Sequence, residues 1–124
     1  MHKSVLILIA TVTNMVAGQG AFAHHSSAMF DQTKEVTLSG VVSKFEWSNP
    51  HALVFIDVDD AKGGTMRYTL ECSTPNLLSH NGWKINTIRT GDRVTVDFFP
   101  LRDKRPGGML AKITLPTGVV LKAW

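Results

Sequence analysis

The chain has 124 residues, 44% of them hydrophobic, and its 13 Lys and Arg against 10 Asp and Glu give a net charge of +3. This length suffices for one domain with a single core and is too short for two. The mild positive charge gives no indication of a nucleic-acid-binding protein, and a single cysteine excludes an internal disulfide, so the core must hold the domain together.

The first 23 residues have the three parts of a secretory signal peptide. A short basic start at His2 and Lys3 precedes an apolar run over residues 5–17, and small residues stand at Ala21 and Ala23. The apolar run is shorter and more diluted than the roughly 20 apolar residues of a membrane span. We therefore predict cleavage after Ala23, a periplasmic or secreted location and no stable membrane insertion afterwards, with an uncleaved anchor as the alternative.

Residues 24–33 are polar and lack periodicity, which predicts an N-terminal arm before a single domain over residues 34–124. The first strand is predicted from Val36 to Trp47, with Gly40 as a bend or bulge. After the break at Ser48-Asn49-Pro50, alternation predicts a second strand over residues 52–59 and, beyond a glycine-containing hairpin loop, a third over residues 66–72.

Thr74 before Pro75 is a helix-start signal, and it predicts a short helix over residues 76–81 that stops at Gly82. Three further strands are predicted over residues 93–99, 109–115 and 119–122. Three strands, a short helix and then two or three strands follow the order of the OB-fold. We therefore predict an all-β, OB-like barrel of five to six strands with one helix between strands 3 and 4. An open sandwich or half-barrel is the alternative.

Cleavage after Ala23 would make His24 the first residue, followed by His25. The α-amino nitrogen and ring Nδ1 of an N-terminal histidine can chelate one metal ion, and an amine with a pKa of about 8 loses its proton to a metal at neutral pH. Nitrogen ligands in a planar arrangement suit Cu(II). These residues therefore predict a copper site, and the alternative is an ordinary polar chain end.

His51 is the best third ligand, because the proline in Asn49-Pro50-His51 stiffens the turn and fixes the direction of the ring. Matching the two-faced patterns of the second and third strands pairs Asp57 with Arg67. The same register pairs Leu53 with Glu71, which makes Glu71 a diagonal neighbour of His51. Glu71 would bind the metal or accept a hydrogen bond from the His51 ring. In the alternative, His51 only hydrogen-bonds the backbone of its turn.

The loop over residues 100–108 carries Arg102, Lys104 and Arg105. In an OB barrel this loop lies beside the loop between strands 1 and 2, and the two frame the usual ligand site. We therefore expect these cations near His51, with Asn49 contributed by the other loop. They would attract a carboxylate, a phosphate or an acidic partner. The alternative is a solvated loop.

Cys72 is interpreted as a small apolar core residue, with metal binding or an intermolecular disulfide as the alternative. His80 lies on the short helix and is interpreted as a solvated surface residue.

The sequence resembles a family of small exported bacterial proteins known only as a domain of unknown function. The resemblance runs from Ala23 to about Gly118 and is carried by the stretches AHHSSAMFD, VTLSGVVSKFEWSNPHALVFIDV, TLECSTPNLL, NGWK, TGDRVTVDFFPLRDK and GGMLAKITLPTG. It implies that His24, His25 and Asn49-Pro50-His51 belong to the family pattern, that the fold is barrel-like and that the protein lies outside the cytoplasm. It implies no activity, substrate or cofactor. Cys72 and the segment Lys104-Arg105-Pro106 depart from the expected pattern.

Two functions follow from these residues. The first is a periplasmic binding protein that holds copper or another transition metal for storage, delivery or sensing. The second is a metal-free OB-like module that binds a partner protein, peptide or glycan through the strand 2–3 face and the two loops. An oxidase or oxygenase would need an open substrate face, which the sequence does not define, and no nucleophile–base pair or phosphate loop points to another enzyme. We expect a binding protein without a nucleic-acid partner.

Overall fold

A computed structural model describes residues 27–124, so the predicted signal peptide, His24 and His25 lie outside the described residues. The described chain begins with a 3₁₀ turn at Ser27–Met29 and continues through six strands and one helix. These are β1 (Val36–Glu46), β2 (Leu53–Asp59), β3 (Thr65–Glu71), α1 (Pro75–His80), β4 (Arg93–Pro100), β5 (Gly107–Thr114) and β6 (Val120–Lys122). No helix in this part of the chain has the length and apolar character that a bilayer-crossing span requires.

The strands form one sheet in the order β3-β2-β1-β4-β5-β6, and β3 also pairs with β5 in parallel. That additional pairing closes β1 to β5 into a barrel, with β6 as an extra edge strand. The strand order and the position of α1 between β3 and β4 are those of the OB-fold, and they confirm the predicted all-β barrel.

The register between β2 and β3 is the predicted one, with Asp57 opposite Arg67 and Leu53 opposite Glu71. The predicted bulge at Gly40 is wrong. Gly40 pairs in register with Val94, and the irregularity lies between Val42 and Lys44. Gly40 is needed for close backbone approach, because a Cβ there would lie 2.7 Å from the Asp57 carbonyl oxygen.

The helix begins as its cap predicts. The Thr74 hydroxyl accepts a hydrogen bond from the Leu77 amide, Pro75 occupies the first turn, and Gly82 follows with a φ of +91°. Leu78 and Trp83 are both buried, and the Trp83 indole donates to the Lys122 carbonyl oxygen at 2.8 Å. Leu78 of the helix and Trp83 after it therefore cover one side of the core, and the Trp83 indole ties β6 to that side.

The core fills the barrel with inward-facing residues of every long strand. The predicted inward residues of β4 (Val94, Val96 and Phe98) are each at most 2% exposed. The arm also contributes to the core, which its polar sequence did not predict. Phe30 is 4% exposed and forms a bridge with Leu101, so the arm lies along the loop after β4.

Candidate metal centre

His51 lies in the turn between β1 and β2, directly after the cis Asn49–Pro50 peptide bond. The next residue fixes it to β3, because the Ala52 amide donates to the Ser73 carbonyl oxygen and the Cys72 amide donates to the Ala52 carbonyl oxygen. Ala52 and Cys72 are fully buried. His51 is therefore presented from a backbone that is locked into the barrel wall.

The two nitrogens of the His51 ring face different partners. Nδ1 lies 3.1 Å from the Cys72 carbonyl oxygen, and because a carbonyl only accepts, Nδ1 carries the hydrogen. Nε2 lies 3.6 Å from Oε1 of Glu71. The ring also packs on Trp124, with centroids 5.6 Å apart. A hydrogen bond from one ring nitrogen to a backbone carbonyl is the usual way in which a metal-binding histidine is oriented, so Nε2 is the nitrogen that can bind a metal.

Glu71 stands where the predicted register puts it, diagonal to His51 on the outer face of β2 and β3. The side chain of His51 is 25% exposed and that of Glu71 is 16% exposed, so both are partly buried and still accessible to solvent. Two ligands that bind one ion at about 2.0–2.2 Å stand about 3 Å apart, so the observed 3.6 Å needs only a small closure. Without a metal, the same pair can form an ion pair when the imidazole is protonated.

Both side chains line an open cleft of about 490 Å³, the His51 cleft. Its remaining wall consists of Ser27, Phe30 and Gln32 of the arm, Met109 of β5 and Trp124. Met109 is the register partner of Glu71 across the parallel β3–β5 pairing. Local sequence patterns do not place Met109 or Trp124 at this cleft, and for Met109 the one signal is the closing β3–β5 pair that an OB-fold implies.

Within residues 27–124, no group of three His, Cys, Asp or Glu side chains is placed to hold a metal ion. From this part of the chain, His51 and Glu71 could supply two ligands. Cys72 does not add a third, because its side chain is fully buried in the core, as the sequence predicts, and only its carbonyl oxygen faces the His51 ring. Burial, with a smaller contribution from the charge of Glu71, raises the pKa of the Cys72 thiol and keeps it protonated.

The other predicted site residues fall into two groups. Asn49 is exposed and lines a smaller cleft, of about 240 Å³, together with His51 and Glu71. Arg102, Lys104 and Arg105 line a cleft to which His51 does not contribute, and Arg105 also lines a second cleft together with Glu71. His80 is exposed on α1, as expected.

The arm contacts both the basic loop and the His51 cleft. Arg102 is held by the arm, because its Nε donates to the Ala28 carbonyl oxygen at 3.0 Å and its amide donates to the Met29 carbonyl oxygen at 3.0 Å. Phe30 pairs with Leu101 of the loop and also lines the His51 cleft. The arm thus lies between the two features, and the cations gather around a separate cleft.

A family model described as a family of unknown function, DUF6152, matches residues 12–111 of the sequence. No curated protein matches it. Among solved structures, the mitochondrial single-stranded DNA binding protein Rim1 of S. cerevisiae aligns with a TM-score of 0.49 and 15% sequence identity, over 67% of this chain and 94% of that one. Rim1 is described by its name as a protein that binds single-stranded DNA.

Proposed function

This chain belongs to the DUF6152 family of unknown function, and we propose that it is an exported protein that binds one copper ion at the His51 cleft. The α-amino group and ring of His24 would hold the ion after cleavage behind Ala23, with His25 beside them. Nε2 of His51 would complete the nitrogen set, and Glu71 would bind the ion or orient the His51 ring. Copper bound in this way would be stored, delivered or sensed.

The observation that carries the proposal is the 3.1 Å contact between Nδ1 of His51 and the Cys72 carbonyl oxygen. This contact commits Nδ1, so the neutral His51 ring presents a lone pair on Nε2, next to a carboxylate. A carboxylate beside an imidazole lone pair is unfavourable unless a proton or a cation lies between them. A bound metal ion would satisfy both groups at once.

Chain connectivity supports the participation of the N-terminal histidines. Ser27 lines the His51 cleft, and His25 and His24 precede it by two and three residues. An extended chain advances about 3.3–3.6 Å per residue, so two or three residues can span at most about 11 Å from Ser27. This distance lets either histidine reach the cleft.

The donor atoms around the cleft suit copper in both oxidation states. Imidazole and amine nitrogens favour Cu(II), and the thioether of Met109 is a soft ligand of the kind that Cu(I) prefers. A site with both kinds of donor can release or accept copper as its oxidation state changes. These donors disfavour magnesium, and the Irving–Williams order places Cu(II) above Zn(II) in affinity for such a nitrogen site.

The first experiment changes only the position of the free amine. The protein recovered after export, with its N-terminus confirmed by mass spectrometry, is titrated with Cu(II) and compared with a form that carries one additional residue before His24. Both forms keep every imidazole, but the extended form loses the chelate of amine and Nδ1. We expect tight binding and a raised melting temperature for the first form only. Binding no tighter than that of a free His-His peptide in both forms would refute the proposal.

The second experiment tests His51 against a matched histidine. His51→Gln should weaken Cu(II) binding by more than the about 10- to 100-fold that loss of an orienting partner costs, and should remove one nitrogen from the Cu(II) electron paramagnetic resonance spectrum. His80→Gln removes an exposed histidine from α1 and should change neither quantity. The loss of Cu(II) affinity caused by Glu71→Gln should lie between the losses caused by those two substitutions. Equal effects of the His51 and His80 substitutions would exclude His51 as a ligand.

A further inference from the structure

One end of the barrel is open and has an apolar floor. Here the inward-facing side chains are Val36 at the start of β1, Met66 and Tyr68 of β3, and Phe98 near the end of β4. The Tyr68 and Phe98 rings meet edge to face with centroids 5.9 Å apart, and Met66 is 44% exposed. Apolar side chains at the mouth of a β-barrel are a common floor for a small ligand.

The opening arises because the barrel closes over only a short length. β3 pairs with β5 from Thr69 to Glu71, opposite Gly107 to Met109, and β5 begins at Gly107. Residues 65–68 of β3 therefore have no β5 neighbour within the described chain, and the loop over residues 101–106 borders the gap. This gap is a cleft of about 300 Å³, the cationic cleft.

The rim of the cationic cleft is strongly basic. Lys34, Arg102, Lys104 and Arg105 line it, and Asp31 is the one carboxylate among its lining residues. Asp31 is shared by two cations, with Lys34 at 3.6 Å and Arg102 at 3.9 Å. Arg105 pairs with Asp103, which does not line the cleft, at 2.7 Å. In the described part of the chain, Lys104 forms no ion pair.

We propose that the cationic cleft binds a small organic anion with an apolar body, such as an aromatic or short-chain carboxylate, sulfonate or phosphate ester. The apolar body would lie on Tyr68 and Met66, above the buried Phe98 ring, and the anionic group would be bound by Lys104 and Arg105. The volume is at the lower end of the range of about 300–1,000 Å³ for ligand pockets, which fits one ring system or a short chain and not a polymer. This site is separate from the His51 cleft, because His51 does not line it.

The test uses 2-naphthoate and its uncharged counterpart 2-naphthamide as matched probes of the intact protein, followed by two-dimensional amide NMR. We expect 2-naphthoate to shift the amides of Tyr68, Lys104 and Arg105 in a saturable way. We expect 2-naphthamide to bind at least about tenfold more weakly, since it lacks the charge-assisted hydrogen bonds. Inorganic phosphate, which lacks the apolar body, should also bind more weakly.

Two variants and one control locate the binding. The double substitution Lys104→Gln and Arg105→Gln should weaken 2-naphthoate binding by about tenfold or more. Met66→Glu, at an exposed floor position on the other side of the cleft, should weaken it as well because it repels the anion. The control pair Lys84→Gln and Arg93→Gln removes two exposed charges outside the cleft and should leave binding unchanged. The proposal would be overturned if 2-naphthamide or phosphate bound as tightly as 2-naphthoate. It would also be overturned if the control pair weakened binding as much as the Lys104 and Arg105 substitutions do.

Discussion

At the scale of single residues, Cys72 takes part in both the buried core and the candidate site on the outer face of the barrel. Its side chain belongs to the buried core, and its carbonyl oxygen accepts the Nδ1 hydrogen of His51 on the outside of the barrel. Packing of the Cys72 side chain therefore fixes the position and direction of the carbonyl group that orients the His51 imidazole. The candidate ligand is positioned by the same contacts that stabilise the fold.

The burial of Cys72 predicts an unreactive thiol. Reaction with a thiol reagent requires exposed thiolate, and burial raises the pKa of Cys72 while it blocks access. The folded protein should react with dithionitrobenzoate at least about a thousandfold more slowly than the protein in denaturant, since the reaction must wait for opening of the core. Rapid labelling of the folded protein, measured by absorbance, would contradict the buried placement.

At the scale of elements, the start of β5 fits between β3 and β4 because of two glycines, Gly107 on the β3 side and Gly108 on the β4 side. A Cβ at Gly107 would lie 2.4 Å from the Thr69 carbonyl oxygen, and one at Gly108 would lie 2.1 Å from the Phe99 carbonyl oxygen. No side chain fits at these distances from a backbone atom. The start of β5 can therefore enter the sheet only because both positions lack a side chain.

This close approach predicts the effect of a single methyl group. Gly108→Ala should lower the free energy of unfolding by about 1–3 kcal/mol or more, because the crowded neighbour is backbone and cannot turn aside. Gly64→Ala is the matched control, since its Cβ would meet a side chain, the Asp60 carboxylate at 3.0 Å, and not a backbone atom. Urea unfolding of both variants checks the difference. Equal losses of stability would show that the crowding at Gly108 is relieved by backbone movement.

Local patterns predicted the elements, and long-range pairing limited what they could predict. The β2–β3 register follows from alternation and from the complementary charges of Asp57 and Arg67, which form a hydrogen-bonded ion pair at 2.8 Å. That register correctly placed Glu71 beside His51. The β3–β5 contact joins segments more than 30 residues apart, and no turn signal in the sequence links them. Local patterns therefore do not place Met109 at the cleft. The path of the arm depends on one buried side chain, Phe30, within a polar segment.

At the scale of the whole molecule, the two clefts use different faces of the barrel. Tyr68 and Glu71 are three residues apart along β3, a distance of about 10 Å, and they point to opposite faces of the strand. Tyr68 belongs to the cationic cleft and Glu71 to the His51 cleft. A metal ion and an organic anion could therefore be bound at the same time.

The charge of the outer β2–β3 face predicts that the protein does not bind single-stranded DNA. OB-folds bind oligonucleotides through this face together with the loops beside it, and here the face itself presents the carboxylates Asp57, Asp59 and Glu71. Its one arginine in that register, Arg67, is already paired with Asp57. Fluorescence anisotropy with a labelled oligothymidylate should give a dissociation constant weaker than about 10⁻⁴ M at physiological salt. Tighter binding that weakens steeply with salt would show this prediction to be wrong.

The position of Trp124 has a practical consequence for anyone who handles the protein. Its ring packs on His51, so residues attached after Trp124 would begin at the wall of the His51 cleft. An affinity tag placed before His24 would remove the free amine from the proposed chelate, and a polyhistidine tag at either end would bring its own copper ligands to the cleft. The exposed turn at residues 116–118 lines neither cleft, which makes it the better attachment point for a purification tag or a fluorophore.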